Sequence, residues 1–106
     1  MHLEDLIAKA RYIRSLYEDY ERENYGREWS TAELALGLMG DLGDLAKLIQ
    51  AHLGVRGTLS TQELEEKLSH ELADCLWSIL VLADKMQINL GDACVATMDE
   101  LEKRLE

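Results

Sequence analysis

Two pairs of carboxylates stand out in this sequence because the residues around them are almost uncharged. Between Leu34 and Ala46 the only charged residues are Asp41 and Asp44; between Glu71 and Ala83 they are Glu71 and Asp74. Each pair is spaced i,i+3, so on a helix both members project from one face. Gly37 and Leu48 share the first face, and Lys67, Ser78 and Lys85 share the second. Faces this apolar read as packing faces, where an unpaired carboxylate is costly. Four such groups facing one another need neutralising, by protonation, by Lys67 and Lys85, or by a hard divalent cation. Oxygen donors in two i,i+3 pairs suit Mg²⁺, which takes octahedral oxygen ligands and keeps several waters. His70 precedes Glu71 and projects about 100° away from it, so the acid faces are expected to hold no His or Cys ligand for a softer metal. Asp41, Asp44, Glu71 and Asp74 are therefore candidate ligands for Mg²⁺, or for Mn²⁺ in its place.

The elements that must carry these acids are helices. Leu3, Leu6, Ala10, Ile13, Tyr17 and Tyr20 form a heptad-like stripe, so residues from about 2 to 24 read as one amphipathic helix ended by Gly26. Ser30-Thr31-Ala32-Glu33 is a capping box opening a second helix that runs to about Leu53, with Gly54 as its stop. Gly54 to Leu59 is the clearest loop. Ser60-Thr61-Gln62-Glu63 repeats the capping pattern and opens a third helix to about Met86, and Asn89 caps a fourth that reaches the C-terminus. No strand alternation and no hairpin dipeptide competes with these elements. The predicted fold is all-α, a four-helix bundle in a single domain over residues 1–106. The second helix is apolar nearly all round, which one short chain can hardly cover, so the bundle is expected to be completed by homo-oligomerisation, as a homodimer or a dimer of dimers.

Composition is consistent with this reading. The 106 residues contain 11 Lys plus Arg against 21 Asp plus Glu, a net charge of −10, and no proline. Nothing obliges a helix to break. An acidic chain is a poor ligand for the nucleic-acid backbone, so no nucleic-acid partner is expected. No apolar run is long enough to span a membrane, and the start MHLEDLIAKARYIR lacks a signal-peptide pattern. Cys75 and Cys94 sit in apolar helical context without metal-binding spacing and read as buried free thiols of a cytoplasmic protein.

GDLGDLAKLIQ and HELADCLWSILVLADK together resemble the two signature helices of the MazG-like nucleotide pyrophosphohydrolases, which carry ExxE on one helix and ExxD on the next. Here the pairs are DxxD (Asp41, Asp44) and ExxD (Glu71, Asp74), separated by residues 45–70, and QINLGDA resembles the family's turn into its last helix. The similarity extends over about residues 29 to 96. It implies Mg²⁺-dependent hydrolysis of (deoxy)nucleoside triphosphates to monophosphate and pyrophosphate, in the service of nucleotide-pool sanitation. The four carboxylates would hold metal against the phosphates, with Asp44 and Glu71 also orienting the attacking water.

The same resemblance nominates substrate contacts. Trp29 stands where relatives often place an aromatic near the base, although covering the bundle end is an equal role for it. Lys85 could meet a phosphate or serve the dipole of its helix C-terminus. Ser78 stands where relatives often have Tyr, and Arg104 matches a basic residue near the family's end. Gly37, Gly40 and Gly43 read as a strip for close helix approach, and Trp77 as a packing residue. The chain departs from the pattern at Asp41 and Asp44, each a methylene shorter than Glu, and at Thr97 and Leu101, where Lys and Asn are common. Those departures support an alternative: a non-catalytic helical oligomer that keeps the scaffold with a weakened metal site.

Overall fold

In a computed structural model that describes residues 2–54 and 60–106, the chain forms four helices: α1 Leu3–Tyr25, α2 Thr31–His52, α3 Thr61–Lys85 and α4 Leu90–Leu105. The class is all-α, and each boundary falls within two residues of the one expected from the caps. Ser30 Oγ accepts the Glu33 backbone N–H at 3.1 Å, while the Glu33 carboxylate accepts the Ser30 N–H at 3.0 Å. Ser60 Oγ accepts from the Glu63 N–H at 3.2 Å and Asn89 Oδ1 from the Asp92 N–H at 3.1 Å. These bonds satisfy donors that a helix start leaves unpaired. The C-terminus of α1 closes on Gly26, whose φ of 77° is the left-handed geometry glycine adopts freely. The loop expected over Gly54–Leu59 lies, beyond Gly54 itself, outside the described residues. Among the described residues no helix is long and apolar enough to cross a membrane.

The chain divides into two compact units, Met1–Trp29 with Leu80–Glu106, and Ser30–Ile79. In the first, α1 lies with the end of α3 and with α4 around Ala10, Leu80, Val81 and Ala83. A bidentate ion pair is buried there: Arg14 Nη1 and Nη2 donate to Glu21 Oε2 and Oε1 at 2.8 and 2.6 Å, with the two residues 4% and 3% exposed. Glu21 Oε1 also accepts the Trp29 backbone N–H at 2.8 Å. Arg11 pairs with Asp84, and Glu18 with Lys85, fastening α1 to the last turn of α3. That turn ends in a Schellman arrangement, with Gln87 N–H on Asp84 O and Ile88 N–H on Ala83 O; Gln87 occupies the left-handed position at φ 58°.

The second unit is α2 with the greater part of α3. Among its described residues Leu64 and Cys75 are buried, both on α3, and α2 buries none of its side chains. Leu36 and Met39 are 67% and 69% exposed, and Leu42 and Ile49 are also exposed. A Cβ built on Gly37, Gly40 or Gly43 would meet nothing within 4 Å. The expected close helix approach at these glycines is therefore not made by the chain's own described residues. α2 and α3 run antiparallel, since Asp41 meets Ser78 while Asp44 and Lys47 share a groove with Glu71 and Lys67.

Candidate functional site

All four acids lie in the second unit, two on each of its helices. Asp41 is half-buried, and its Oδ2 accepts a hydrogen bond from Ser78 Oγ at 3.2 Å. This contact places Ser78 beside the acids, as helical spacing predicts. Asp44 and Glu71 line opposite sides of a groove of about 460 Å³. Asp74 lies one turn further along α3, its side chain 44% exposed. Cys75 is buried, and its thiol is pushed above its ordinary range first by that burial, then by the charges of Asp41, Glu71 and Asp74. Charges from both helices thus act on one side chain.

Two expectations need correcting. The acids do not sit on a packed face: Asp44 is exposed and the other three are half-buried. Counting 100° per residue identifies a face but not its cover, and α2 has little cover within one chain. His70 does reach the acids. Four residues before Asp74, it brings Nε2 to 3.2 Å from Asp74 Oδ2; the i,i+4 relation to Asp74 was legible, although the direction relative to Glu71 hid it. Lys85 belongs to the first unit, where its ammonium pairs with Glu18, whose carboxyl that bond holds below its usual range.

The groove contains charges that the acid pairs alone do not reveal. Lys47 from α2 and Lys67 from α3 line it beside Asp44 and Glu71, with Leu48 at its apolar side and Glu66 and His70 completing it. Lys47 stands three residues after Asp44 and Lys67 four before Glu71, so both are displaced one helical turn toward the same end of the antiparallel pair. Arg11, Arg14, Arg22, Lys85 and Arg104 all have carboxylate partners; among the described residues Lys47 and Lys67 have none. A second cavity, about 710 Å³, lies in the first unit between α1 and the α3–α4 turn and is lined by none of the four acids.

The remaining predicted contacts are in the first unit. Trp29 is half-buried and stacks on Tyr25, their centroids 5.2 Å apart, with the Arg27 guanidinium 5.4 Å from its centroid. Arg104 pairs with Glu100 one turn earlier on α4. Cys94 is half-buried rather than buried, Trp77 is half-buried, and both cysteines are free thiols.

Among the described residues no three His, Cys, Asp or Glu side chains converge into a closed metal cage. The donor chemistry nevertheless fits Mg²⁺. This ion takes oxygen ligands and retains several waters, and carboxylate oxygens from two helices beside an open groove offer that.

The model of a family described as the MazG nucleotide pyrophosphohydrolase domain fits residues 30–106. Gene 37 protein of Mycobacterium phage L5 is 27% identical over 71 residues, covering 67% of this chain and 62% of that protein. The chain thus spans a little over three fifths of that relative's length. No solved structure matches it.

Proposed function

Since the chain belongs to the MazG nucleotide pyrophosphohydrolase family, we propose that it hydrolyses (deoxy)nucleoside triphosphates to monophosphate and pyrophosphate, with Mg²⁺ as cofactor, as a nucleotide-pool sanitising enzyme. The observation that carries this reading is the groove between antiparallel α2 and α3, lined from either side by Asp44 and Glu71. Asp41, Asp44, Glu71 and Asp74 would hold the metal, or Mn²⁺ in its place. When bound, the ion supplies charge neutralisation at the phosphates, which is most of what phosphoryl chemistry asks of a protein.

The chain's own groups do the positioning. Ser78 Oγ holds Asp41 in place by its hydrogen bond. Carboxylate oxygens of Asp44 and Glu71 accept hydrogen bonds from the attacking water and orient it. The resemblance also nominates Trp29, Lys85 and Arg104 as nucleotide contacts, and each of them now has a partner within the first unit. The reading extends to a homo-oligomer, dimer or dimer of dimers. A helix with no buried side chain and exposed Leu36, Met39, Leu42 and Ile49 gains most by covering that surface.

The test is a nucleotide panel with Mg²⁺, read for monophosphate and pyrophosphate. Activity should be lost in Asp44→Ala and Glu71→Ala; release of orthophosphate with diphosphate, or unchanged turnover in these variants, sinks the proposal. The second reading, a non-catalytic oligomer, rests on Asp41 and Asp44, whose shorter side chains reach a shared ion less readily than Glu. Thermal unfolding separates the two, because a ligand of the folded state must raise Tm. Mg²⁺ with a non-hydrolysable triphosphate should raise it, and no shift with any nucleotide favours the second reading.

A further inference from the structure

The groove has a polarity. At one end Ser78 meets Asp41, in the middle Asp44 faces Glu71, and at the other end stand Lys47 and Lys67, one turn beyond the acids on both helices. Carboxylates alone repel a polyphosphate, so two ammonium groups without carboxylate partners, at one end only, distinguish the ends electrostatically. We propose that Lys47 and Lys67 form the seat of the pyrophosphate half of the substrate. The nucleoside triphosphate then lies along the groove with its β- and γ-phosphates at the lysines, its α-phosphate at Asp44 and Glu71, and its nucleoside toward Asp41 and Ser78. This inference rests on the hydrolase reading for the identity of the substrate, but the subsite itself is a diphosphate-binding site that exists without turnover.

Chemistry favours these two residues for that task. Both are exposed, so their side chains are solvated cations rather than structural counter-charges, and a diphosphate bearing several negative charges bridges two lysines from facing helices better than a monophosphate does. Glu66 lines the same end, but its carboxylate accepts a hydrogen bond from Gln62 at 3.3 Å on its own helix. Lys67 shares a helical face with Glu71 and Asp74, and Lys47 joins it in the groove from α2. They serve the part of the substrate that leaves, one turn from the groups that serve the reacting phosphate.

Calorimetric titration of the full chain with inorganic pyrophosphate and Mg²⁺, and separately with the four deoxynucleoside monophosphates, tests the subsite directly. In Lys47→Gln and Lys67→Gln, pyrophosphate affinity should fall about tenfold each, as expected for a lost charge-assisted bond to phosphate. Lys67→Arg should recover most of it, Lys103→Gln outside the groove should leave it unchanged, and monophosphate affinity should change less than twofold throughout. Circular dichroism verifies the fold of each variant. Undiminished pyrophosphate binding in both glutamine variants, an equal loss of monophosphate binding, or no pyrophosphate binding by the wild type overturns the proposal. Triphosphate cleavage with pyrophosphate binding indifferent to the lysines overturns the subsite and leaves the hydrolase standing. Lysine-dependent pyrophosphate binding without cleavage supports the subsite and removes the hydrolase.

Discussion

Replacing Glu21 by Ala leaves the Arg14 guanidinium buried without its counter-charge. The two residues are among the least exposed in the chain, their fork-to-fork bonds are 2.6 and 2.8 Å, and Arg14 Nε has no hydrogen-bond partner among the described residues. Breaking a buried pair from one side costs about 3–5 kcal/mol, because the surviving charge keeps its desolvation penalty. The Trp29 N–H loses its acceptor as well, adding about 1 kcal/mol where water does not replace it. A chain of this size has a total stability of about 5–15 kcal/mol. Glu21→Ala should therefore remove about a fifth of it or more, lowering Tm by about 12 °C or more. Urea unfolding at fixed protomer concentration measures this, since self-association makes apparent stability depend on concentration. The control is Arg14→Met with Glu21→Leu, which removes both charges and fills the space. It should lie within about 1 kcal/mol of the wild type, or above it. A single variant losing under about 1 kcal/mol, or a double variant as unstable as the single, would refute the electrostatic account.

Other consequences are smaller and separable. Gln87→Gly should stabilise by about 0.5–1 kcal/mol in thermal unfolding, because Gln87 holds a left-handed φ of 58° that glycine adopts without a Cβ clash. Ser30→Ala should cost about 1 kcal/mol through loss of the α2 cap, and Ser30→Asp should restore most of it. Lys85 lowers the Glu18 pKa below its ordinary 4.5, so this carboxylate contributes stability above about pH 4.5 that is lost as pH falls through the folded-state value. The stability difference between wild type and Glu18→Gln should accordingly shrink on acidification; a constant difference from pH 7 to pH 3 contradicts the linkage. Ser78→Ala frees Asp41 from its hydrogen bond and should weaken Mg²⁺ binding by about tenfold, seen as a smaller Mg²⁺-induced rise in Tm.

Helix by helix, the fold was open to reading because its signals are local. Ser30, Ser60 and Asn89 each satisfy backbone donors within three residues, and Gly26 turns the chain at the end of its own helix. No tertiary contact is needed for any of these, so spacing alone locates all four helices. The acid pairs were legible for the same reason, since i,i+3 residues share a helix face in any context.

What tertiary structure decided is which faces meet and at what register. The antiparallel setting of α2 against α3 puts Lys47 and Lys67 in the groove with Asp44 and Glu71, and brings Ser78 onto Asp41. It also leaves α2 without a buried side chain, so acids expected on a packed face are solvated. Lys85 shares a helical face with Glu71 by arithmetic, yet its long side chain pairs with Glu18 from α1. A helix's own periodicity specifies where side chains point relative to one another. Which neighbour covers them, and so which charges neutralise which, depends on residues far away in the chain.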